Sequence, residues 1–126
     1  MSAKDKKAGL LESFRFAWAG IIQTAKSERN FKIELCCAVF ALIASAVLGL
    51  SPLEWSIIIV MIVIVLTLEL ANSALESLTD LSSPDQHPLA KQAKDAMAGA
   101  VLLAAIGSVV IGLIIFCNAA LRLWGA

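Results

Sequence analysis

The chain has 126 residues, of which 60% are hydrophobic, and its 10 Lys and Arg residues balance its 10 Asp and Glu residues. Soluble domains are about half apolar; here the excess falls in three uncharged segments without the polar face of a soluble surface helix, which argues against a soluble bundle. The zero net charge argues against a nucleic-acid partner, and the lack of strand-like alternation argues against a β-barrel.

The N-terminal segment is charged and then amphipathic. Residues 10–26, LLESFRFAWAGIIQTAK, place Leu10, Phe14, Trp18 and Ile21 at helical spacing opposite polar side chains. This pattern predicts a helix lying in the membrane interface, and a helix packed on other protein is an equally open interpretation. The charged start predicts no cleavable signal peptide, and SERN at 27–30 predicts a break before the next helix.

Three apolar segments are long enough to cross a bilayer. A hydrocarbon core of about 30 Å needs about 20 helical residues. With a few flanking residues, the sequence predicts an all-α integral membrane protein with spans at about 33–51, 54–76 and 96–118. Ser and Pro at 51–52 predict a tight turn, residues 79–87 (TDLSSPDQH) predict a loop, and Pro88 is expected to open the following helix.

The distribution of basic residues predicts the orientation. Seven of the ten precede residue 33, Lys91 and Lys94 follow the second loop, and Arg122 stands alone near the end. Basic residues concentrate on the cytoplasmic side of membrane proteins. The N-terminus and residues 79–95 are therefore expected in the cytoplasm and the C-terminus outside.

Two patterns within the spans concern packing. Cys36, Cys37 and Cys117 have neither disulfide nor metal-site spacing, so we expect small, buried, apolar residues. Small side chains recur every fourth residue in the third span, and this spacing predicts close helix packing. They are Ala96, Ala100, Ala104, Ser108 and Gly112.

Polar residues follow one face of the second span. Asn72, Glu76 and Asp80 stand three, seven and eleven positions after Glu69, which places all four on one side of a helix. Ionised groups in membrane helices are costly and usually face a bundle interior or a water-filled site. A purely structural role is the alternative, with Asn72 bonding a neighbour and the last two carboxylates reaching the aqueous boundary. The depth of Glu69, about two turns beyond Glu76, favours a functional face.

The same membrane boundary collects further charged residues, namely Glu28, Glu34, Lys94 and Asp95. Carboxylates suit Mg²⁺ that is shared with substrate phosphates, a lysine could neutralise phosphate charge, and a deeper carboxylate could act as a base on a lipid hydroxyl. There is no GxxxxGK phosphate loop in the sequence. A proton-coupled transporter is a second interpretation, although the chain lacks a second half for an inverted repeat. A small structural or regulatory membrane protein is a third.

Three separated motifs resemble the small prokaryotic diacylglycerol kinase family, which includes the bacterial undecaprenol kinases. The resemblance runs from about residue 13 to 117. Its helix motif, E-x-x-N-(ST)-A-x-E-x-x-x-D, is matched by ELANSALESLTD from Glu69 to Asp80, and A-K-D is matched at 93–95. The N-terminal W-x-G and E-x-x-F-x-x-E are matched by Trp18, Gly20, Glu28, Phe31 and Glu34.

The resemblance implies ATP-dependent phosphorylation of a lipid hydroxyl by a homotrimer whose active sites are shared between subunits. The whole chain, 1–126, would form a single membrane-embedded kinase domain, with 1–30 cytoplasmic or interfacial. It would be a multi-pass protein of the bacterial cell membrane with a cytoplasmic active site. Its partners would be Mg²⁺, ATP, a membrane lipid and other copies of itself.

The resemblance also implies a role for each matched residue. Glu69 would be the catalytic base, and Glu28 and Glu76 would hold the metal and ATP. The other roles are as follows: Asp85, Gln86, His87, Lys94 and Asp95 would contact ATP; Trp18, Phe31, Glu34 and Glu69 would contact the lipid; and Glu34, Asn72 and Asp80 would support the site.

The sequence departs from the family at Gly9 and Phe16, where a basic residue and a tyrosine often contact ATP, so those two contacts are not carried over. The stretches DQHPLAKQAKD and KSERNFKIE are more similar to the undecaprenol kinase branch. Undecaprenol is therefore the expected substrate, and diacylglycerol, converted to phosphatidic acid, is the alternative.

Overall fold

The computed structural model describes residues 3–85 and 87–125. Its regular structure within those ranges is entirely helical, and three of its helices are long and apolar enough to cross a membrane. The all-helical architecture with three candidate spans is thus confirmed. The helices are α1 (Ala3–Ser27), α2 (Arg29–Leu48), α3 (Pro52–Ser82) and α4 (Pro88–Trp124).

A single residue separates α1 from α2. Glu28 has an extended backbone (φ −96°, ψ 117°), and its side chain makes no capping hydrogen bond to α2. Its N–H donates to the carbonyl of Thr24 at 2.8 Å, which closes the last turn of α1. The break expected at 27–30 is confirmed, and it lies at Glu28.

The turn between α2 and α3 is built by Gly49. This glycine has φ 64°, a left-handed conformation that costs other residues free energy. Ser51 then caps α3, accepting from the N–H of Glu54 while the Glu54 carboxylate accepts from the N–H of Ser51, both at 3.2 Å. The tight turn predicted at 51–52 is present, and α2 ends at Leu48, three residues before the predicted end of the first span.

The loop between α3 and α4 is shorter than expected. Residues 79–82, predicted as loop, are helical. The reason is local: no Pro or Gly occurs at positions 53–83, and the Thr79 hydroxyl donates to the carbonyls of Leu75 and Glu76 instead of competing with the helix. Pro88 opens α4, as predicted.

The packed core is thin and lies at the end of the bundle near the α2–α3 turn. It consists of Leu50, Ile58, Ile115 and Ala119. Most large apolar side chains are exposed on the single chain, as expected for helices whose outer faces meet lipid. Cys36, Cys37 and Cys117 are also exposed, so the expectation that they are buried is wrong for the single chain. Three spans cannot enclose every small residue that they carry.

The small residues of α4 are partly covered. Four of the five, Ala100, Ala104, Ser108 and Gly112, are half-buried, whereas Ala96 is exposed. α4 packs mainly on α3 along its length. The close approach that the spacing predicts is not seen at Gly112, where a Cβ atom would meet only the ring of Phe116 on the same helix.

Candidate functional site

Burial changes along the polar face of α3 in the predicted order. Glu69 is almost completely buried, at 5% relative exposure. Asn72 and Glu76 are half-buried, and Asp80 is exposed. The face thus runs from the protein interior to the open end of the bundle near the α3–α4 loop.

Three more carboxylates surround Glu69. Glu28, from the α1–α2 break, Glu34 from α2 and Glu76 from α3 all lie near enough for their charges to act on the Glu69 carboxyl. Each of the three is half-buried. Four acidic groups from three segments therefore meet at one end of the bundle, an arrangement suited to binding cations or moving a proton.

Asn72 contributes an unpaired acceptor to this cluster. Its Oδ1 atom is buried and accepts no hydrogen bond from the part of the chain that the structure describes. Buried polar atoms are nearly always hydrogen-bonded in native proteins. The amide oxygen of Asn72 is thus available to a donor from outside the described residues.

A second group of charges lies at the exposed end of the same face. Lys94 Nζ of α4 pairs with Asp80 Oδ1 of α3 at 2.5 Å, and the charge of Glu76 also acts on Lys94. Lys91 pairs with Asp95 at 2.6 Å, one turn apart on α4. Because the charge of Glu76 acts on both Glu69 and Lys94, it links the buried carboxylate to the half-buried lysine electrostatically.

The loop residues have local roles in the structure. His87 caps α4, since its Nδ1 accepts from the N–H of Leu89 at 3.1 Å. The backbone carbonyl of Asp85 accepts a hydrogen bond from the Ser83 hydroxyl at 3.0 Å. The Asp85 carboxylate takes no part in this hydrogen bond. Gln86 lies outside the described residues. Asp85 and His87 both lie just before the start of α4, the helix that carries Lys94.

The two aromatic residues expected at the lipid site lie in different environments. Trp18 on α1 is 65% exposed, whereas Phe31 on α2 is only 1% exposed. Trp18 is therefore free to meet lipid directly. Phe31 fills space between the helices, where it can shape a site only from within.

A groove between α1 and α3 was missed by the sequence analysis. Its lining combines the aromatic ring of Phe16 with hydroxyl, amide and carboxylate groups, including Gln23, Thr24, Glu28, Ser73 and Ser77. On α3 the serines lie on the face next to that of Glu69 and Glu76. In the sequence, this groove could have been predicted from Ser73 and Ser77, two hydroxyl residues four positions apart beside the carboxylates of α3.

The carboxylate cluster does not form a complete metal cage from side chains alone. No group of three His, Cys, Asp or Glu side chains within the described ranges is arranged to hold a metal ion. Mg²⁺ commonly takes one or two protein carboxylates and completes its octahedron with water and phosphate oxygens. Glu28 and Glu76 are half-buried carboxylates of the chemical type that this pattern uses.

Three helices long and apolar enough to cross a membrane indicate a multi-pass membrane protein, and its carboxylates group toward one end of these helices. Within that class, the chain belongs to the family described as prokaryotic diacylglycerol kinase, which it matches over residues 15–116. The family expected from the motifs is thereby confirmed.

Three relatives show the extent of the match. An undecaprenol kinase of Bacillus subtilis is 44% identical over 119 residues, which cover 92% of this chain and 97% of the relative. A diacylglycerol kinase of Synechocystis is also 44% identical, over 104 residues that cover 82% of this chain but 59% of the relative. A diacylglycerol kinase of Escherichia coli is 26% identical over 101 residues, covering 80% of this chain and 83% of the relative.

Proposed function

We propose that this protein is a lipid kinase that transfers the γ-phosphoryl group of ATP to the hydroxyl of undecaprenol. The observation that carries the proposal is the buried Glu69 carboxyl, surrounded by Glu28, Glu34 and Glu76 at one end of the three spans. Membership of a kinase family supports the reaction class. It also argues against the transporter and structural interpretations of the same carboxylates.

The choice of undecaprenol rests on the extent of the matches. The Bacillus undecaprenol kinase aligns over 97% of its own length, so the two chains have nearly the same extent. Diacylglycerol is the second candidate, because the Synechocystis diacylglycerol kinase has the same identity over the part that aligns. Both lipids present a hydroxyl at the membrane interface, and one phosphoryl-transfer site suits either.

Glu69 is the general base in this proposal. The lipid oxygen attacks the γ-phosphorus while its proton passes to the Glu69 carboxylate; the new P–O bond forms, the bond from the γ-phosphorus to the bridging oxygen breaks, and ADP leaves with that oxygen. The depth of Glu69 suits a hydroxyl that arrives from the membrane. Asn72, whose Oδ1 needs a donor, would accept a hydrogen bond within the assembled site, and Glu34 would contact the lipid head.

Glu28 and Glu76 would hold Mg²⁺ together with the phosphates of ATP. The ion would supply charge neutralisation at the transferring phosphoryl group. The half-buried position of both carboxylates supports this role.

The nucleotide would lie at the exposed end of the polar face. Lys94, held by Asp80 beside Glu76, would contact phosphate oxygens, and Asp95 would contact the rest of the nucleotide. The residues of the preceding loop, Asp85, Gln86 and His87, would complete that side of the site. Trp18 would meet the lipid at the interface, and Phe31 would shape the lipid site from within the packed helices.

The membrane arrangement follows from the same proposal. The protein would lie in the bacterial cell membrane as one domain, with spans at about 33–51, 54–76 and 96–118 and a cytoplasmic N-terminus. Large apolar side chains on α1, such as Leu11 and Phe14, are about 70% exposed, which supports a helix that lies in the interface. A homotrimer would cover apolar surface that the thin core leaves exposed.

A direct assay tests the function. The purified protein is given radiolabelled ATP, Mg²⁺, undecaprenol and diacylglycerol together, and the labelled lipids are separated. We expect undecaprenyl phosphate as the main product. A clear preference for diacylglycerol would overturn the substrate assignment, and transfer to neither lipid would overturn the kinase proposal.

A further inference from the structure

An apolar groove opens between α2, α3 and α4, beside the carboxylate cluster. Its α3 wall runs from Leu66 to Ile58, and its α4 wall from Ser108 to Phe116. Each wall covers eight helical steps, a length of about 12 Å at a rise of about 1.5 Å per residue. The groove thus follows the helices along much of the predicted membrane interior.

One end of the groove meets the proposed catalytic site. Glu34, whose charge acts on Glu69, is part of its lining. Val65, also in the lining, is buried one turn before Glu69 on the same face of α3. A lipid hydroxyl placed at Glu69 would therefore have this groove directly below it in the membrane.

The lining is chemically suited to a hydrocarbon chain. Two lining side chains carry oxygen: Glu34, at the end of the groove, and Ser108. The Ser108 hydroxyl already donates to the carbonyl of Ala105 at 2.8 Å. Small residues, including Ala38, Ala41 and Gly112, leave the space open. The remaining lining offers aliphatic, sulfur and aromatic surface, which binds apolar chains without leaving polar groups unpaired.

We propose that this groove binds the proximal part of the polyprenyl chain of the lipid alcohol and selects a single-chain substrate. The inference rests on the proposed function, since it places the reacting hydroxyl at Glu69. The groove runs lengthwise between three helices, which suits one chain laid along it. An alcohol with two acyl chains, such as diacylglycerol, would leave its second chain outside these contacts.

A larger side chain at Gly112 is the most direct way to fill the groove. A Cβ atom at this position would lie 3.7 Å and 3.8 Å from two ring carbons of Phe116, an ordinary contact that requires no shift of the backbone. Gly112→Leu would then occupy the groove with its branched side chain. Gly107→Leu is the matched control, because Gly107 lies on the same helix outside the groove lining and a Cβ there meets nothing within 4 Å.

The kinetic test compares undecaprenol with 3-methylbut-2-en-1-ol, whose single isoprene unit is too short to reach Gly112, one helical turn along the α4 wall from Ser108. We expect Gly112→Leu to lower kcat/KM for undecaprenol about tenfold or more, as steric loss in an apolar site does. Its turnover of the one-isoprene alcohol and its KM for ATP should match those of the wild type, and Gly107→Leu should match the wild type with both alcohols. Equal losses with both alcohols, or no loss with undecaprenol, would overturn the proposal.

A binding test keeps the groove separate from the reaction. A polyprenol carrying a photoreactive diazirine on its first isoprene units is crosslinked to the full-length protein, and the labelled residues are mapped by mass spectrometry. Label on Met61, Leu66 or Leu113 that disappears in Gly112→Leu supports the groove, even if no phosphoryl transfer occurs and the proposed function fails. Label confined to outward residues such as Phe40 and Leu103 would overturn the groove while leaving the kinase reaction intact. A changed oligomeric state of Gly112→Leu, measured by crosslinking, would instead identify the groove as a subunit contact.

Discussion

Arg122, in the last turn of α4, pairs with Glu54 in the first turn of α3. Its Nη2 lies 2.8 Å and 3.0 Å from the two carboxylate oxygens. At the opposite end of the same two helices, Lys94 pairs with Asp80. The antiparallel helices are thus joined by one ion pair at each end, which fixes their relative register and keeps Lys94 beside Glu76.

The Arg122 pair is expected to contribute modestly to stability. Arg122→Gln removes the cation but leaves Glu54 in its capping box with Ser51, so the start of α3 is preserved. Because exposed ion pairs are weak and are screened by salt, we expect the melting temperature to fall by a few degrees at most, with a smaller difference in high salt. Thermal unfolding of both proteins in the same detergent, at low and high salt, measures this effect. A difference that does not depend on salt would contradict an electrostatic origin.

Local patterns predicted much of the fold. The three uncharged segments specified the membrane-length helices because length and hydropathy suffice for that purpose. Pro88 specified the start of α4, and the carboxylate spacing specified the face that Glu69 and Glu76 share. Each of these features depends on residues that are close together in the sequence.

The features that the sequence did not reveal depend on packing between distant segments. Glu54 and Arg122 are separated by 68 positions, and neither belongs to the motifs that resemble the kinase family. Phe31 was expected at the lipid site, but its almost complete burial is decided by how α2 meets its neighbours. The Asp80–Lys94 pair likewise requires the register of α3 against α4, which periodicity within one helix does not specify.

Glu76 is predicted to control the dependence of the reaction on Mg²⁺. Glu76→Gln keeps the size of the side chain but removes one of the two carboxylates proposed to hold the ion, so half-maximal activity should require about tenfold more Mg²⁺. The measurement is a Mg²⁺ titration of initial rates at saturating ATP and lipid. An unchanged titration curve would show that Glu76 does not contribute to metal binding.

Lys94 is predicted to affect ATP binding more than its neighbour Lys91. The two lysines lie on the same helix and each pairs with an aspartate. They differ in that the charge of Glu76 acts on Lys94 and not on Lys91. Lys94→Gln should raise the KM for ATP about tenfold or more, because a charge-assisted contact to phosphate is lost. Lys91→Gln should leave this KM within about twofold of the wild type. Similar effects of the two substitutions would indicate that general positive charge, rather than the position of Lys94, attracts the nucleotide.

Glu69 is predicted to be essential to turnover. Glu69→Gln retains the shape of the side chain but cannot accept the proton of the lipid hydroxyl, so kcat should fall by a factor of about 100 or more. Glu12→Gln is the matched control, since Glu12 lies on the exposed surface of α1 and belongs to none of the proposed contacts; its kcat should equal that of the wild type.

The assignment of Glu69 as the base also requires that binding survives its replacement. Because the site is assembled from Glu28, Glu34 and Glu76 as well as Glu69, the variant should still bind Mg²⁺-ATP, with an affinity near that of the wild type by equilibrium dialysis. Its oligomeric state, measured by crosslinking, should also be unchanged. Near-normal turnover by Glu69→Gln would exclude Glu69 as the base, whereas lost turnover together with lost nucleotide binding would assign it a structural role in the cluster.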